Sequence, residues 1–136
     1  MSRPNYGFAR SLATTLPPVR RILLVEDDAE AVRMLGFALR ENGYEVATAA
    51  TGFLALGEVA KRDPSVILLD LFLSGGMNGG EFLDKYRRSG GQAKVIVISG
   101  AARADPIARD LVVDEWYAKP FDLERLLESV RRYAYA

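Results

Sequence analysis

Short, continuous apolar runs constrain this chain more than any other feature. RILLV (21–25), SVILLD (65–70) and AKVIVIS (93–99) are apolar at almost every central position rather than at alternate ones. A strand that is hydrophobic on both sides needs cover on both faces, as in a parallel sheet flanked by helices. Segments of helical period follow these runs. AEAVRMLGFALRENG (29–43) puts Val32, Leu35, Phe37, Ala38 and Leu39 on a broad inner face and stops at Gly43. The patterning predicts two more strands, YEVATAA (44–50) and a weaker DEWYA (114–118). It predicts further helices over 52–62, 79–90, 105–112 and 121–136. Asp105-Pro106 would open the 105–112 helix as N-cap and first helical residue. The last helix turns Leu123, Leu126, Leu127 and Val130 inward. Five strands alternating with five helices make an α/β fold, doubly wound about one five-stranded parallel sheet with right-handed crossovers. A chain of 136 residues suffices for one such domain and its core.

Ligands of these sheets bind beyond the carboxyl ends of the strands. Glu26-Asp27-Asp28 follows the first strand, Asp70 the third, Ser99 ends the fourth, and Lys119-Pro120 follows the fifth. Each has an ordinary reading alone. An acid after a strand often caps the next helix, and Asp28 is the foremost candidate for that. Trp116 can be simply a packed or half-exposed aromatic. Gathered at one sheet edge, however, these groups are several carboxylates, a hydroxyl and an amine. The chain has no Cys and no His. Disulfides, thiol catalysis, thiolate metal sites and the commonest general base are therefore excluded. Crowded carboxylates repel one another unless a cation joins them. Oxygen-only ligands favour Mg²⁺, Ca²⁺ or Mn²⁺, and Mg²⁺ suits a site that also takes phosphate. A divalent cation, a lysine for phosphate oxygens and a carboxylate nucleophile together make a phosphoryl-transfer site.

Charge and hydropathy narrow the partners. Eighteen Lys and Arg balance eighteen Asp and Glu, so no global field points to nucleic acid or a membrane surface. No apolar run is long enough to span a bilayer. Residues 1–19 carry Arg3 and Arg10, no acid, and the interrupting pair Pro17-Pro18. They read as a flexible N-terminal extension, with an organelle transit peptide as the alternative and a secretory signal disfavoured.

In order and spacing, ILLVEDD (22–28), VILLDLFL (66–73), MNGGEFL (77–83), VIVISG (95–100) and WYAKPF (116–121) resemble the motifs of response regulator receiver domains of two-component signalling. The resemblance covers about residues 20–136. It implies a flavodoxin-like sheet of order 2-1-3-4-5, with Asp70 as phosphoacceptor. Glu26, Asp27, Asp70 and the backbone carbonyl of Phe72 would hold Mg²⁺. Ser99 and Lys119 would bind the phosphoryl group, with Lys119 before a cis peptide bond to Pro120. Trp116 would be the switching aromatic. The donor would be a histidine kinase or histidine phosphotransfer protein, and the recipient of the signal a downstream protein, in the cytoplasm. The protein would catalyse only its own phosphorylation and dephosphorylation. A stand-alone receiver without an output domain is the preferred reading. The alternatives are a phosphorylation-independent binding module and a receiver fragment of a larger regulator or hybrid kinase. The fourth helix, fifth strand and last helix would form the output face, also a candidate for homodimerisation. A phosphatase of the haloacid dehalogenase type would need an acid two residues after Asp70, where Phe72 stands.

Three departures from the family pattern bear on geometry. Ser74 occupies the position where the family usually has Pro, and the turn Ser74-Gly75-Gly76 is one residue longer than usual. A more mobile acceptor loop is expected from these first two. The segment from Ser99 to Lys119 is about two residues short, so its helix should be short or displaced.

Overall fold

The computed structural model describes residues 18–100 and 110–136. The apolar runs form the sheet: β1 (Arg21–Val25), β2 (Glu45–Ala49), β3 (Val66–Leu69), β4 (Lys94–Ser99) and β5 (Glu115–Ala118). Every neighbouring pair is parallel and the order is β2-β1-β3-β4-β5. The described helices are α1 (Ala29–Glu41), α2 (Gly52–Lys61), α3 (Gly79–Arg88) and α4 (Leu123–Ala134). These elements end within two residues of the expected bounds. The helix expected over 105–112 lies outside the described residues except at 110–112, and those three are not helical.

Strand alternation sorts the core into two layers. Leu23, Val25, Ile67, Leu69, Val95 and Val97 pack with Ala55 of α2 and Phe82, Leu83 and Tyr86 of α3. Ile22, Leu24, Val66, Leu68, Ile96 and Ile98 pack with Leu35 and Leu39 of α1 and Leu126 and Val130 of α4. The central strands are buried on both sides, which is why they read as unbroken apolar runs.

Phe37 departs from the expected inner face and is 66% exposed. Leu35 and Leu39 define the stripe that meets the sheet. A residue two positions beyond Leu35 lies about 200° round the helix, on the solvent side. On α4, Leu126 and Val130 are fully buried, while Leu123 and Leu127 only flank the core.

The helix starts carry the expected chemistry. Asp28 caps α1 by accepting from the amide of Glu30, and Thr51 caps α2. Asn78 and Glu81 form a reciprocal capping box on α3. The next residue, Gly79, donates its amide to the Leu71 carbonyl at 2.8 Å. A Cβ on Gly79 would sit 2.4 Å from the Asp70 carbonyl oxygen and 2.7 Å from Leu71 Cα. The first turn of α3 is thus pressed against the backbone of Asp70, and only glycine permits that approach.

Gly79→Ala is therefore expected to destabilise the fold by about 1–3 kcal/mol, read from urea unfolding. Gly57→Ala in α2 meets nothing within 4 Å and should instead stabilise by about 0.5–1 kcal/mol. Equal effects at the two sites would refute the assigned role of Gly79.

Candidate functional site

Sheet register builds the site. Val25 pairs with Leu69, so the next residues, Glu26 and Asp70, emerge side by side. The Asp70 amide continues the ladder to the Val25 carbonyl, and the Glu26 amide to the Ala49 carbonyl, each at 3.0 Å. Across the sheet Ser99 pairs with Ala118, and the Lys119 amide donates to the Ser99 carbonyl at 3.0 Å. The Lys119–Pro120 peptide bond is cis, as the family resemblance implies.

From that position the Lys119 ammonium spans both acids. Nζ lies 3.0 Å from Glu26 Oε1 and 3.2 Å from Asp70 Oδ2. Glu26 is 3% exposed and Asp70 7% exposed. The other oxygen of each carboxylate is held by backbone: the Asp28 amide donates to Glu26 Oε2 at 3.2 Å, and the Phe72 amide to Asp70 Oδ1 at 3.0 Å. Asp27 is exposed, and its Oδ2 accepts from both the amide and the hydroxyl of Ser74. One carboxylate oxygen from each of Glu26, Asp27 and Asp70 lies within 4.8 Å of the others. The expected acids Glu26, Asp27 and Asp70 thus converge, and Asp28 serves as the helix cap.

Burial pushes the Glu26 carboxyl above its ordinary value, and the charge of Asp70 adds to the rise. Hydrogen bonds from Lys119 and the Asp28 amide oppose it without cancelling it. Burial would lower the pKa of Lys119, but Glu26 and Asp70 outweigh that and raise it, so the ammonium stays charged. One ammonium against three carboxylates leaves the crevice anionic. Hard oxygen donors in an anionic, partly open cluster fit a divalent cation of the Mg²⁺ kind. Cavities beside Leu56 and Tyr86, and beside Leu83 and Val113, lie away from these groups.

Ser99 is wholly buried at the carboxyl end of β4. Trp116 pairs with Val97 and packs, half-buried, against the layer of the core that contains Val97. Ser99 is two residues beyond Val97, so strand parity puts Ser99 and Trp116 on one side of the sheet. Tyr117 belongs to the opposite layer, where its hydroxyl donates to the Arg125 carbonyl at 3.0 Å and lies 2.5 Å from Ser129 Oγ.

Residues 22–131 match the response regulator receiver domain family. The chain belongs to that family. This receiver is 30% identical over 115 residues to sporulation initiation phosphotransferase F of Bacillus subtilis, covering 83% of this chain and 92% of that protein. It is 35% identical over 118 residues to the DNA-binding response regulator MtrA of Mycobacterium tuberculosis, covering 82% of this chain but only 49% of that one. The receiver thus spans nearly all of one relative and about half of the other. Among solved structures it resembles a CheY-like receiver protein of Methanospirillum hungatei, with a TM-score of 0.77, 28% identity, and coverage of 85% and 93%. It also resembles response regulator TrrA of Thermotoga maritima in complex with Mg²⁺-BeF, with a TM-score of 0.74, 29% identity, and coverage of 85% and 99%. The chain is therefore a receiver domain of two-component response regulators, a signalling module. Among the described residues no helix is long and apolar enough to cross a membrane.

Sequence reasoning missed Ser74. It registered only the missing proline and expected a looser loop. The structure instead ties this turn to Asp27 through two hydrogen bonds. The only local signal was a hydroxyl residue preceding two glycines.

Lys119→Met is expected to destabilise the protein by about 1–3 kcal/mol, less than for a fully buried pair because the side chain is 33% exposed. In an Asp70→Asn background the loss should be smaller by on the order of 1 kcal/mol. Additive effects in a double-mutant cycle by denaturant unfolding would refute the ion pair.

Proposed function

We propose that this receiver is the phosphoacceptor switch of a two-component phosphorelay. Asp70 would accept the phosphoryl group from a histidine kinase or histidine phosphotransfer protein in the cytoplasm. The observation that carries this reading is the reach of one ammonium, Lys119 Nζ, to both Asp70 and Glu26 beside the exposed carboxylate of Asp27. A solely structural salt bridge has no need of that third acid.

In the reaction, an Asp70 carboxylate oxygen attacks the phosphorus of the donor phosphohistidine. The new O–P bond forms as the P–N bond breaks, and the imidazole leaves. Such transfer is governed by alignment and charge neutralisation. The Phe72 amide fixes one Asp70 oxygen and thereby the carboxylate plane. Lys119 pairs with the phosphoryl oxygens. Glu26, Asp27, Asp70 and the carbonyl of Phe72 would hold Mg²⁺, which neutralises charge on the transferring group when bound.

The Ser99 hydroxyl would then bond the phosphoryl group. Trp116, on the same side of the sheet, would repack in response, and the face formed by β5 and α4 would be read by a downstream protein or a second copy. Differential affinity of a few kcal/mol for the two states suffices to shift such a population. The boundaries proposed for the unit are residues 20–136, preceded by the N-terminal extension.

Incubation with a small acyl-phosphate donor and Mg²⁺ should add one phosphoryl group by intact-mass spectrometry, and none to Asp70→Asn. An adduct on Asp70→Asn, or one indifferent to Mg²⁺, would count against the proposal.

Phe72 is 42% exposed beside the acceptor, where a large apolar side chain hinders attack by water. Phe72→Asn should lose its phosphoryl group several-fold faster than the wild type in a chase by the same mass measurement. Equal or slower loss would remove Phe72 from the account.

A further inference from the structure

The turn between β3 and α3 reaches across the crevice to Asp27. Ser74 donates twice to one oxygen there, from its amide and from its hydroxyl, both at 3.1 Å to Oδ2. Asp27 is an exposed side chain on a loop, beside the carboxylates of Glu26 and Asp70. Like charge drives it outward, and rotamer freedom favours the same escape. Two donors on Oδ2 oppose both tendencies. A carboxylate has about four acceptor sites, so these bonds leave room for a cation.

The backbone of the turn is shaped for this reach. Gly75 and Gly76 have φ of 90° and 92°, a region that side-chain-bearing residues rarely adopt. Gly75 also sits close to the N-cap of α2: a Cβ there would lie 2.9 Å from Thr51 Cγ2. The turn is thus seated on Thr51 and places Ser74 over Asp27. Proline at position 74 would have neither the amide hydrogen nor the hydroxyl.

We propose that Ser74 is a positioning residue that orients the metal ligand Asp27 and strengthens divalent-cation binding by the acidic cluster. The inference rests on the reading that Glu26, Asp27 and Asp70 take a divalent cation. Groups that orient a metal ligand typically govern affinity by about 10–100-fold.

The test is direct Mn²⁺ binding, measured by electron paramagnetic resonance of the free ion, with Mg²⁺ as competitor. Ser74→Pro, which removes both donors, should weaken binding about 10-fold or more. Ser74→Ala keeps the amide and should fall between it and the wild type. Ser74→Thr should restore wild-type affinity, which a general loosening of the turn would not predict. Circular dichroism melts establish that each variant is folded. Unchanged or tighter binding by folded Ser74→Ala and Ser74→Pro, with Asp27→Asn still abolishing it, would overturn the role of Ser74 alone. Wild-type binding that is absent or insensitive to Asp27→Asn would overturn the cation-site reading, and this proposal with it.

Discussion

Two carboxylates buried side by side, Glu26 and Asp70, with one ammonium between them, are the interaction on which the rest of the molecule depends. Desolvating either acid is unfavourable, and their mutual repulsion adds to the penalty. The arrangement persists because the surroundings over-determine it. The β1–β3 register delivers both acids to the same level of the sheet. Backbone amides of Asp28 and Phe72 hold their outer oxygens, and β5 carries Lys119 to the inner ones. A rigid apolar sheet thereby maintains an uncomfortable cluster of like charges. That residual charge is what a cation or a phosphoryl group would change.

The sheet also separates the site from the surface that would read it. On one layer, Ser99 and Trp116 are diagonal neighbours by strand parity. On the other, β5 is fastened to α4. Tyr117 bonds to Arg125 and lies against Ser129, while Glu115 gathers Ser129, Arg132 and Tyr133. One side of β5 is therefore clamped, and the other holds a half-buried indole. β5 is thus held to α4 along one face, while on the other Trp116 packs against the layer that contains Val97.

How much of this was legible in the sequence follows from the range of the forces involved. Both-sided burial made β1, β3 and β4 readable, because continuous apolar runs have few other uses in a chain of this kind. Asp28 was readable as a helix start, since capping is local. Phe37 misled because apolar character alone does not say which side of α1 meets the sheet; the angular stripe through Leu35 and Leu39 does. Ser74 was misread for a different reason. Its partner Asp27 is 47 positions away, and no local rule connects a turn hydroxyl to an acid on another loop.

Strand and helix periodicity determined the α/β class, and the absence of His and Cys with acids at strand ends determined that any chemistry here would be oxygen chemistry. Those properties are local or compositional, so one chain read end to end contains them. Tertiary structure decided which acids converge, that Lys119 bridges Glu26 and Asp70, and that Ser74 restrains Asp27. These depend on strand order and on register accurate to a single residue, because one step along a strand sends a side chain to the opposite face.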